Sequence, residues 1–252
     1  MNTAHGALPD ILSAPPRGRV LALAPHADDE VLGCGGTLAL HAAQGDPVRV
    51  VVAFDGAAGR SPGASDALVR RGEARTGGRR LGLCDYVFLG HPEGHWPSAA
   101  ELERGVARLV RELADFRPDV VYAPWMGEQH LDHQVLARAA RSALCAARFR
   151  GQAWGYEVWT PLVPARVVDV TSTWEQKLAA LCAHASQLAL ADLLHAASGL
   201  GAQRSVYLGR RARQGEAFAP LVADFPADAQ ELDLLARALG VDRTERACTS
   251  AS

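Results

Sequence analysis

The sequence lacks long apolar stretches. None of its 252 residues lies in a run of the roughly 18 apolar residues that a transmembrane helix needs, so a helical membrane span is excluded. The first 19 residues, MNTAHGALPDILSAPPRGR, show no charged segment followed by an apolar one, and we expect no secretory signal peptide. A cytoplasmic protein without a membrane partner is therefore predicted.

Cysteine and lysine are scarce, and basic charge is not in excess. The five cysteines are scattered without a CxxC pair, which is typical of small core residues in a reducing compartment. Lys177 is the only lysine, and 26 basic residues stand against 28 acidic ones. Because nucleic-acid backbones attract basic surfaces, we predict no nucleic-acid partner.

The composition is that of an ordinary globular protein. Apolar residues make up 48% and charged residues 21%, which excludes a disordered chain, a fibrous repeat and a coiled coil. A chain of this length can bury a large core without disulfide bonds. We predict an N-terminal arm over residues 1–18, a single domain over 19–241 and a flexible tail over 242–252.

Apolar strands alternate with helical segments along the chain. Short apolar or β-branched runs predict strands at 19–24, 47–54, 86–89, 119–123, 153–159 and 166–170. Helical patterns occupy 31–44, 65–81, 99–116, 131–148, 171–200 (with a break near residue 186) and 228–240, whereas 1–17 and 201–227 look irregular. This alternation predicts an α/β fold, a Rossmann-like three-layer α/β/α sandwich with a mostly parallel sheet.

The loop after the first predicted strand is rich in metal-ligand side chains. It contains His26 and the three consecutive carboxylates of Asp28, Asp29 and Glu30. Adjacent negative charges repel one another, and a divalent cation relieves that repulsion. Neighbouring aspartates point in different directions, so one could bind the metal while the other faces its water.

A second cluster, His130, Asp132 and His133, follows the fourth predicted strand. Loops that follow parallel strands leave the same edge of a sheet, so the two clusters can converge there. Nitrogen and oxygen ligands suit Zn²⁺ with an open position for water. Of the two histidines, three residues apart, one could bind the metal while the other faces the substrate.

Structural explanations compete with this interpretation. Acidic residues at a helix N-terminus complement the helix dipole, and we favour capping for Glu30. Asp132 or His130 could also be simple caps. Gly33-Cys34-Gly35-Gly36 is an incomplete dinucleotide motif behind an acidic loop, and we expect its glycines to allow close helix packing.

Both clusters resemble motifs of one family. The segment PHADDEVLGCGGTLA resembles the (A/P)HPDDE signature of the PIG-L/LmbE-like zinc-dependent N-acetylglucosaminyl deacetylases, and QHLDHQ resembles their HPDH motif. LVRRGEARTGGRRLGL and YVFLGHPEG resemble weaker family motifs, and YEVWTPL and KLAALCAHASQL resemble the branch with bacillithiol-pathway deacetylases. The resemblance covers about residues 19–220.

The chain departs from these motifs at four positions. Ala27 and Leu131 replace prolines, and neither carries chemistry. Glu93 replaces a common aspartate, and Glu128 stands where some relatives carry a tyrosine.

The resemblance implies a role for each motif residue. His26, Asp29 and His133 would bind one Zn²⁺ per chain, with Fe²⁺ as the alternative metal. The roles implied for the other motif residues are Asp28 as general base, His130 as electrophile or acid, and Asp132 as the group that orients His130 and raises its pKa.

Substrate-binding residues are predicted in the outer motifs. We expect Arg70 and Glu93 to contact the substrate, with Glu73 holding Arg70 in place. A solvated helix face is the competing explanation for Arg70, and Arg71 is the alternative contact. An aromatic such as Trp96 could stack on a sugar or simply pack locally.

The predicted function is metal-dependent hydrolysis of the N-acetyl group of an N-acetylglucosamine-containing small molecule. The products would be acetate and a free amine. Alternatives are a thiol-conjugate amidase of the same family and a non-catalytic metal- or sugar-binding protein. The sequence leaves self-association into a homo-oligomer open.

Overall fold

The apolar runs of the chain pair into one twisted sheet. A computed structural model describes residues 8–56, 64–95 and 97–221, with side chains of 64–66 left aside. Within these ranges the strands are β1 (Asp10–Leu12), β2 (Val20–Ala24), β3 (Val48–Phe54), β4 (Asp85–His91), β5 (Val120–Pro124), β6 (Gln152–Tyr156), β7 (Arg166–Asp169) and β8 (Gly215–Pro220). Their order is β1-β7-β8-β6-β5-β2-β3-β4, and β8 runs antiparallel to both neighbours while the other pairs are parallel.

Helices cover both faces of the sheet. They are α1 (Asp29–Ala43), α2 (Ala64–Arg80), α3 (Ala99–Phe116), α4 (Leu131–Ala146), α5 (Trp174–Leu181), α6 (Ala185–Leu188) and α7 (Leu193–Arg204). Alternate residues of β2 point to opposite faces: Val20 and Ala22 join the core under α1 and α5, whereas Leu21 and Leu23 join the core under α3 and α4. The predicted three-layer sandwich with a mostly parallel sheet is confirmed.

Two strands come from segments that were expected to be irregular. β1 lies in the predicted N-terminal arm and pairs in parallel with β7, Ile11 opposite Val167. Its three residues are largely exposed and too few to give a period, so only the pairing defines it. β8 lies inside the 201–227 segment. It begins at Gly215 and ends at Pro220, and because glycine and proline are uncommon in strands, the sequence pattern did not predict this buried strand.

The helix expected over 171–200 has its predicted break near residue 186 and two further interruptions. A short 3₁₀ turn over 171–173 precedes α5, and the chain breaks again at His184 and near Asp192. The Asp192 side chain accepts the His195 N–H at 3.0 Å and begins α7. Predicted strand 153–159 ends at Tyr156. The predicted helix over 228–240 and the 242–252 tail lie outside the described residues, and the domain boundaries stay predictions.

The strand order creates a crevice at the carboxyl edge of the sheet. From β2 the chain continues to β3 and β4 on one side, and β5 then pairs with the other side of β2. Ligands bind α/β sheets at such reversals of strand order. The loops after β2 and β5 carry the two predicted clusters. In the part of the chain that the structure describes, no helix is long and apolar enough to cross a membrane.

Candidate active site

The two sequence clusters meet at this crevice. The Asp29 Oδ2 atom lies 3.1 Å from His26 Nδ1 and 3.2 Å from His133 Nε2. The three residues are buried, with exposed fractions of 8% or less. Their potential ligand atoms lie within 4.8 Å of one another. The predicted convergence of the two loops is therefore present in the structure.

These three residues fit a divalent metal. Nitrogen and oxygen atoms bound tetrahedrally to zinc at about 2.0–2.1 Å stand about 3.3 Å apart, close to the separations from Asp29. Both ring nitrogens of His133 are buried without a hydrogen-bond partner, an arrangement that is costly unless another group satisfies them. Nε2 of His133 faces Asp29, so a cation between them would satisfy it. The N, O, N donor set suits Zn²⁺ or Fe²⁺.

The electrostatics of the site also favour a cation. Burial lowers the pKa of His26, but hydrogen bonds to Asp132 and Asp29 outweigh it and raise the pKa to about 10. Burial likewise opposes charge on His133, but Asp29 and Glu128 raise its pKa to about 9. Although burial raises the pKa of Asp29, the two histidines hold it well below its usual value. The carboxylates therefore attract positive charge into the site.

Asp28 is not a member of the His26, Asp29 and His133 cluster. Its φ of 155° is rarely adopted by a residue with a side chain. The Asp28 Oδ1 atom lies 3.4 Å from Arg70 Nη2. Burial and Asp29 raise the pKa of Asp28 to about 7, although Arg70 lowers it. A carboxylate that titrates near neutral pH suits a general base.

The start of α1 holds this strained turn. Glu30 is fully buried, and its carboxylate accepts the Asp28 N–H at 3.2 Å and the Tyr86 hydroxyl at 3.0 Å. Its contacts are those of the capping residue expected from the sequence. The following glycines allow close packing: a Cβ at Gly33 would overlap the ring of Tyr156.

Asp132 contacts a different histidine from the one expected. Its carboxylate lies 3.0 Å from His26 Nε2 and accepts the Gly94 N–H at 2.9 Å, whereas His130 Nδ1 is 3.9 Å away, beyond hydrogen-bond range. Burial, together with His133 and His26, lowers the pKa of His130, whereas a rise was expected. Asp132 favours the charged ring but does not outweigh these causes, because its carboxylate is engaged by His26 and the Gly94 N–H. His26, His130 and Asp132 also form a second group with metal-ligand spacing.

Arg70 and Glu93 both line the site, close to the loop after β2. Arg70 reaches Asp28, and Glu93 Oε2 lies 3.3 Å from His26 Nε2. Glu73, expected to hold Arg70, instead accepts hydrogen bonds from the Ser186 N–H and hydroxyl at 2.9 and 2.6 Å. The guanidinium of the alternative contact, Arg71, packs 5.4 Å from the Phe88 ring centre.

A cavity of about 350 Å³ opens above these side chains. Its walls combine the two loops with residues from distant segments: His26, Asp28, Asp29, Arg70, Glu93, Gly94, His130, Asp132, Trp159 and Gln187. The His130 side chain is 44% exposed, and Trp159 is 49% exposed. Trp96, considered from the sequence for sugar stacking, lies outside the described residues.

Comparison with known proteins agrees with this geometry. Residues 21–144 match the PIG-L family, described as GlcNAc-PI de-N-acetylase. A 1D-myo-inositol 2-acetamido-2-deoxy-alpha-D-glucopyranoside deacetylase from Mycobacterium sp. (strain KMS) is 30% identical over 232 residues, covering 69% of this chain and 75% of the relative. The chain belongs to the PIG-L family.

Two solved structures have a similar fold over a longer part of the chain than residues 21–144. The N,N'-diacetylchitobiose deacetylase from Pyrococcus horikoshii has a TM-score of 0.69 at 25% identity, covering 80% of this chain and 82% of that one. A conserved protein from Thermus thermophilus has a TM-score of 0.71 at 28% identity, covering 82% and 96%. The predicted family and the prediction of an N-deacetylase are confirmed.

Three residues of this PIG-L site had no predicted role. Trp159 and Gln187 line the cavity, and the buried Glu128 stands beside His133. They lie in segments that a local pattern does not connect with the two motifs. The signal available for Glu128 was its place two residues before His130, where some relatives carry a tyrosine.

Proposed function

We propose that this PIG-L protein is a zinc-dependent deacetylase of N-acetylglucosamine-containing small molecules, releasing acetate and a free amine. The observation that carries the proposal is the meeting of His26, Asp29 and His133 with Asp28 at one end of a cavity of about 350 Å³. That volume falls in the usual range of small-molecule sites.

The metal site would consist of His26, Asp29 and His133. A Zn²⁺ bound there would polarise the amide carbonyl and lower the pKa of water to about 7. Family membership and the donor set support a divalent metal, and the two imidazoles favour zinc over magnesium.

Asp28 and His130 divide the proton transfers between them. Asp28 lines the cavity with its carboxylate outside the three-residue cluster, so it can take a proton from the attacking water. His130 reaches the same cavity, where its ring can donate to the developing oxyanion or to the leaving amine. Asp132 keeps His26 in place through their 3.0 Å contact.

The sugar would lie between polar and aromatic walls. The guanidinium of Arg70 and the carboxylate of Glu93 offer hydrogen bonds to sugar hydroxyls, and the indole of Trp159 offers an apolar face to a ring. The named relatives deacetylate an inositol glycoside and diacetylchitobiose, which share the N-acetylglucosamine unit. We infer that this unit is the common part of the substrate.

Release of acetate and amine from a substrate panel tests this function. The zinc-loaded protein is assayed with free N-acetylglucosamine, its inositol and malate glycosides and N,N'-diacetylchitobiose. We expect acetate and amine in equal amounts from at least one glycoside, loss of activity on chelation and recovery with Zn²⁺ or Fe²⁺. Hydrolysis of an S-conjugated thiol alone would favour the amidase alternative, and saturable binding without products would favour a binding protein.

The location, the partners and the domain organisation of the protein are proposed from its sequence. We propose a cytoplasmic enzyme that has neither a membrane nor a nucleic-acid partner, formed by one domain that extends to about residue 241 and includes β1 of the predicted arm. The near-balance of 26 basic and 28 acidic residues supports the absence of a nucleic-acid partner.

A further inference from the structure

Glu128 is a buried carboxylate with contacts on two sides. Its side chain is fully buried in the loop between β5 and α4. Oε1 accepts the Val158 N–H at 2.7 Å and the Trp159 N–H at 3.2 Å, with the Thr160 N–H at 3.4 Å. Oε2 lies 3.5 Å from His133 Nδ1 and also accepts the Trp159 N–H at 3.3 Å. One side chain therefore connects a candidate metal ligand with the segment 158–160.

The orientation of His133 gives this contact a chemical meaning. Its Nε2 faces Asp29, and its Nδ1 faces Glu128. A neutral imidazole carries one proton, so an Nε2 that binds a metal leaves the proton on Nδ1, the nitrogen that lies 3.5 Å from the Glu128 carboxylate. A histidine bound to a metal commonly donates its second N–H to a carboxylate, which fixes its tautomer and ring orientation.

The segment on the other side of Glu128 forms a wall of the cavity. Trp159 lies between two residues whose N–H groups Glu128 accepts, and its indole lines the cavity. Further bonds anchor the segment to the same loop: Trp125 Nε1 donates to the Thr160 carbonyl at 2.8 Å, and the Gln129 N–H donates to the Thr160 hydroxyl at 3.0 Å. The loop and the segment therefore form one hydrogen-bonded unit.

We propose that Glu128 is a positioning residue that holds His133 in the tautomer presenting Nε2 to the metal and, through its other oxygen, fixes the Trp159 wall. The inference rests on the metal site of the proposed function. Where relatives carry a tyrosine at this position, no carboxylate would occupy this place.

Metal affinity of the Glu128→Gln protein tests the proposal. The glutamine oxygen can still accept the Val158 N–H, but its amide group would oppose the Nδ1–H of His133, donor against donor. We expect the Zn²⁺ affinity, measured by competition with a chromophoric chelator, to fall about 10–100-fold, the usual effect of losing such a partner. The visible absorption of the Co²⁺-loaded protein should change as well, which reports on the ligand geometry independently of activity.

Glu157→Gln is the matched control. Glu157 is as buried as Glu128, with an exposed fraction of 2%, but it pairs with Arg204 at 2.7 Å, and no contact with His133 is present in the described structure. Glu157→Gln should unfold at a lower temperature yet bind Zn²⁺ within about twofold of wild type, because the pair that it breaks, with Arg204, includes none of the three candidate ligands.

Several outcomes would overturn the inference. Wild-type affinity in Glu128→Gln, or an equal loss of affinity in both variants, would reduce Glu128 to a structural role. If Glu128→Gln does not fold, nitrogen NMR of the wild-type zinc protein decides, since His133 must carry its proton on Nδ1. A wild-type protein that binds no metal would instead overturn the proposed function itself.

Discussion

The two loops that form the site are stabilised in different ways. The backbone N–H groups of His26 and Asp28, in the loop after β2, donate to side chains of the same loop, Asp29 and Glu30. The loop after β5 is held from a distance, because Glu128 accepts N–H groups of the segment 158–160. The backbone of the first loop is therefore held partly from within, with Tyr86, Arg70 and Asp132 contacting its side chains, whereas the second loop depends on the C-terminal half of the chain.

The largest expected effect separates the two aspartates of the first loop. Asp29→Asn should lose the metal and all measurable activity, because an amide is an uncharged and poorer ligand. Asp28→Asn should keep the metal but lose about 10²–10⁴-fold in kcat, the usual contribution of a general base. The comparison requires the metal content, measured by elemental analysis, and the kcat of both variants. A metal-free Asp28→Asn with a metal-loaded Asp29→Asn would show that the two roles are exchanged.

Removing His130, the exposed histidine of the second loop, should lower the activity of the protein without releasing its metal. His130→Ala should lower kcat about 10²–10³-fold, since a positioned acid in the cavity is lost. His95→Ala is the control, because His95 has a similar exposure, 45% against 44%, but does not line this cavity. If His130→Ala is metal-free instead, the alternative ligand group with His26 and Asp132 would be favoured.

The contrast between the loops explains which parts could be predicted from sequence. Strands buried on both faces, such as β2 and β5, give apolar runs that are visible without partners. The strand β1 has no such pattern, because only its pairing with β7 defines it. In the site, His26 and Asp29 could be recognised from their spacing. Trp159 could not, because hydrogen bonds across 31 residues bring it to the cavity.

A smaller effect is expected where a side chain contacts both the first loop and the cavity. Arg70→Ala should raise KM about tenfold, corresponding to about 1.4 kcal/mol of lost binding. Some loss in kcat should accompany it, because Arg70 also lowers the pKa of Asp28. Arg71→Ala, whose guanidinium packs on Phe88, should leave both parameters near wild type. Wild-type kinetics for Arg70→Ala would make Arg70 a structural residue.

Trp159, which the second loop holds at the cavity, should contribute less to substrate binding than Arg70 does. Trp159→Ala should raise KM about 3–10-fold, or about 0.7–1.4 kcal/mol, with kcat and zinc affinity near wild type. Trp159→Phe, which keeps an aromatic face, should recover part of the loss. If free N-acetylglucosamine shows the same KM with all three proteins while a glycoside does not, Trp159 contacts the aglycone. No change with any substrate would remove Trp159 from the binding site.

The smallest expected effect is on stability rather than on catalysis, and it concerns a buried histidine of the segment that follows α5. His184 is fully buried, and neither ring nitrogen has a hydrogen-bond partner. Burial, with a smaller contribution from Arg70, outweighs Glu73 and lowers the pKa of His184 to about 4. The unfolded chain, with a histidine pKa near 6.5, therefore binds the extra proton first, so the stability contributed by neutral His184 is complete above about pH 6.5 and is lost as the pH falls toward 4. At pH 5.5 the loss should be about 1 kcal/mol in the free energy of unfolding.

His184→Gln should flatten this dependence between pH 6.5 and 4, measured by urea unfolding of the metal-free proteins so that metal release does not contribute. The control is His195→Gln, which changes an exposed histidine of α7 and should show the same pH dependence of stability as the wild type. Parallel curves for all three proteins would show that the protonation of His184 has no effect on stability.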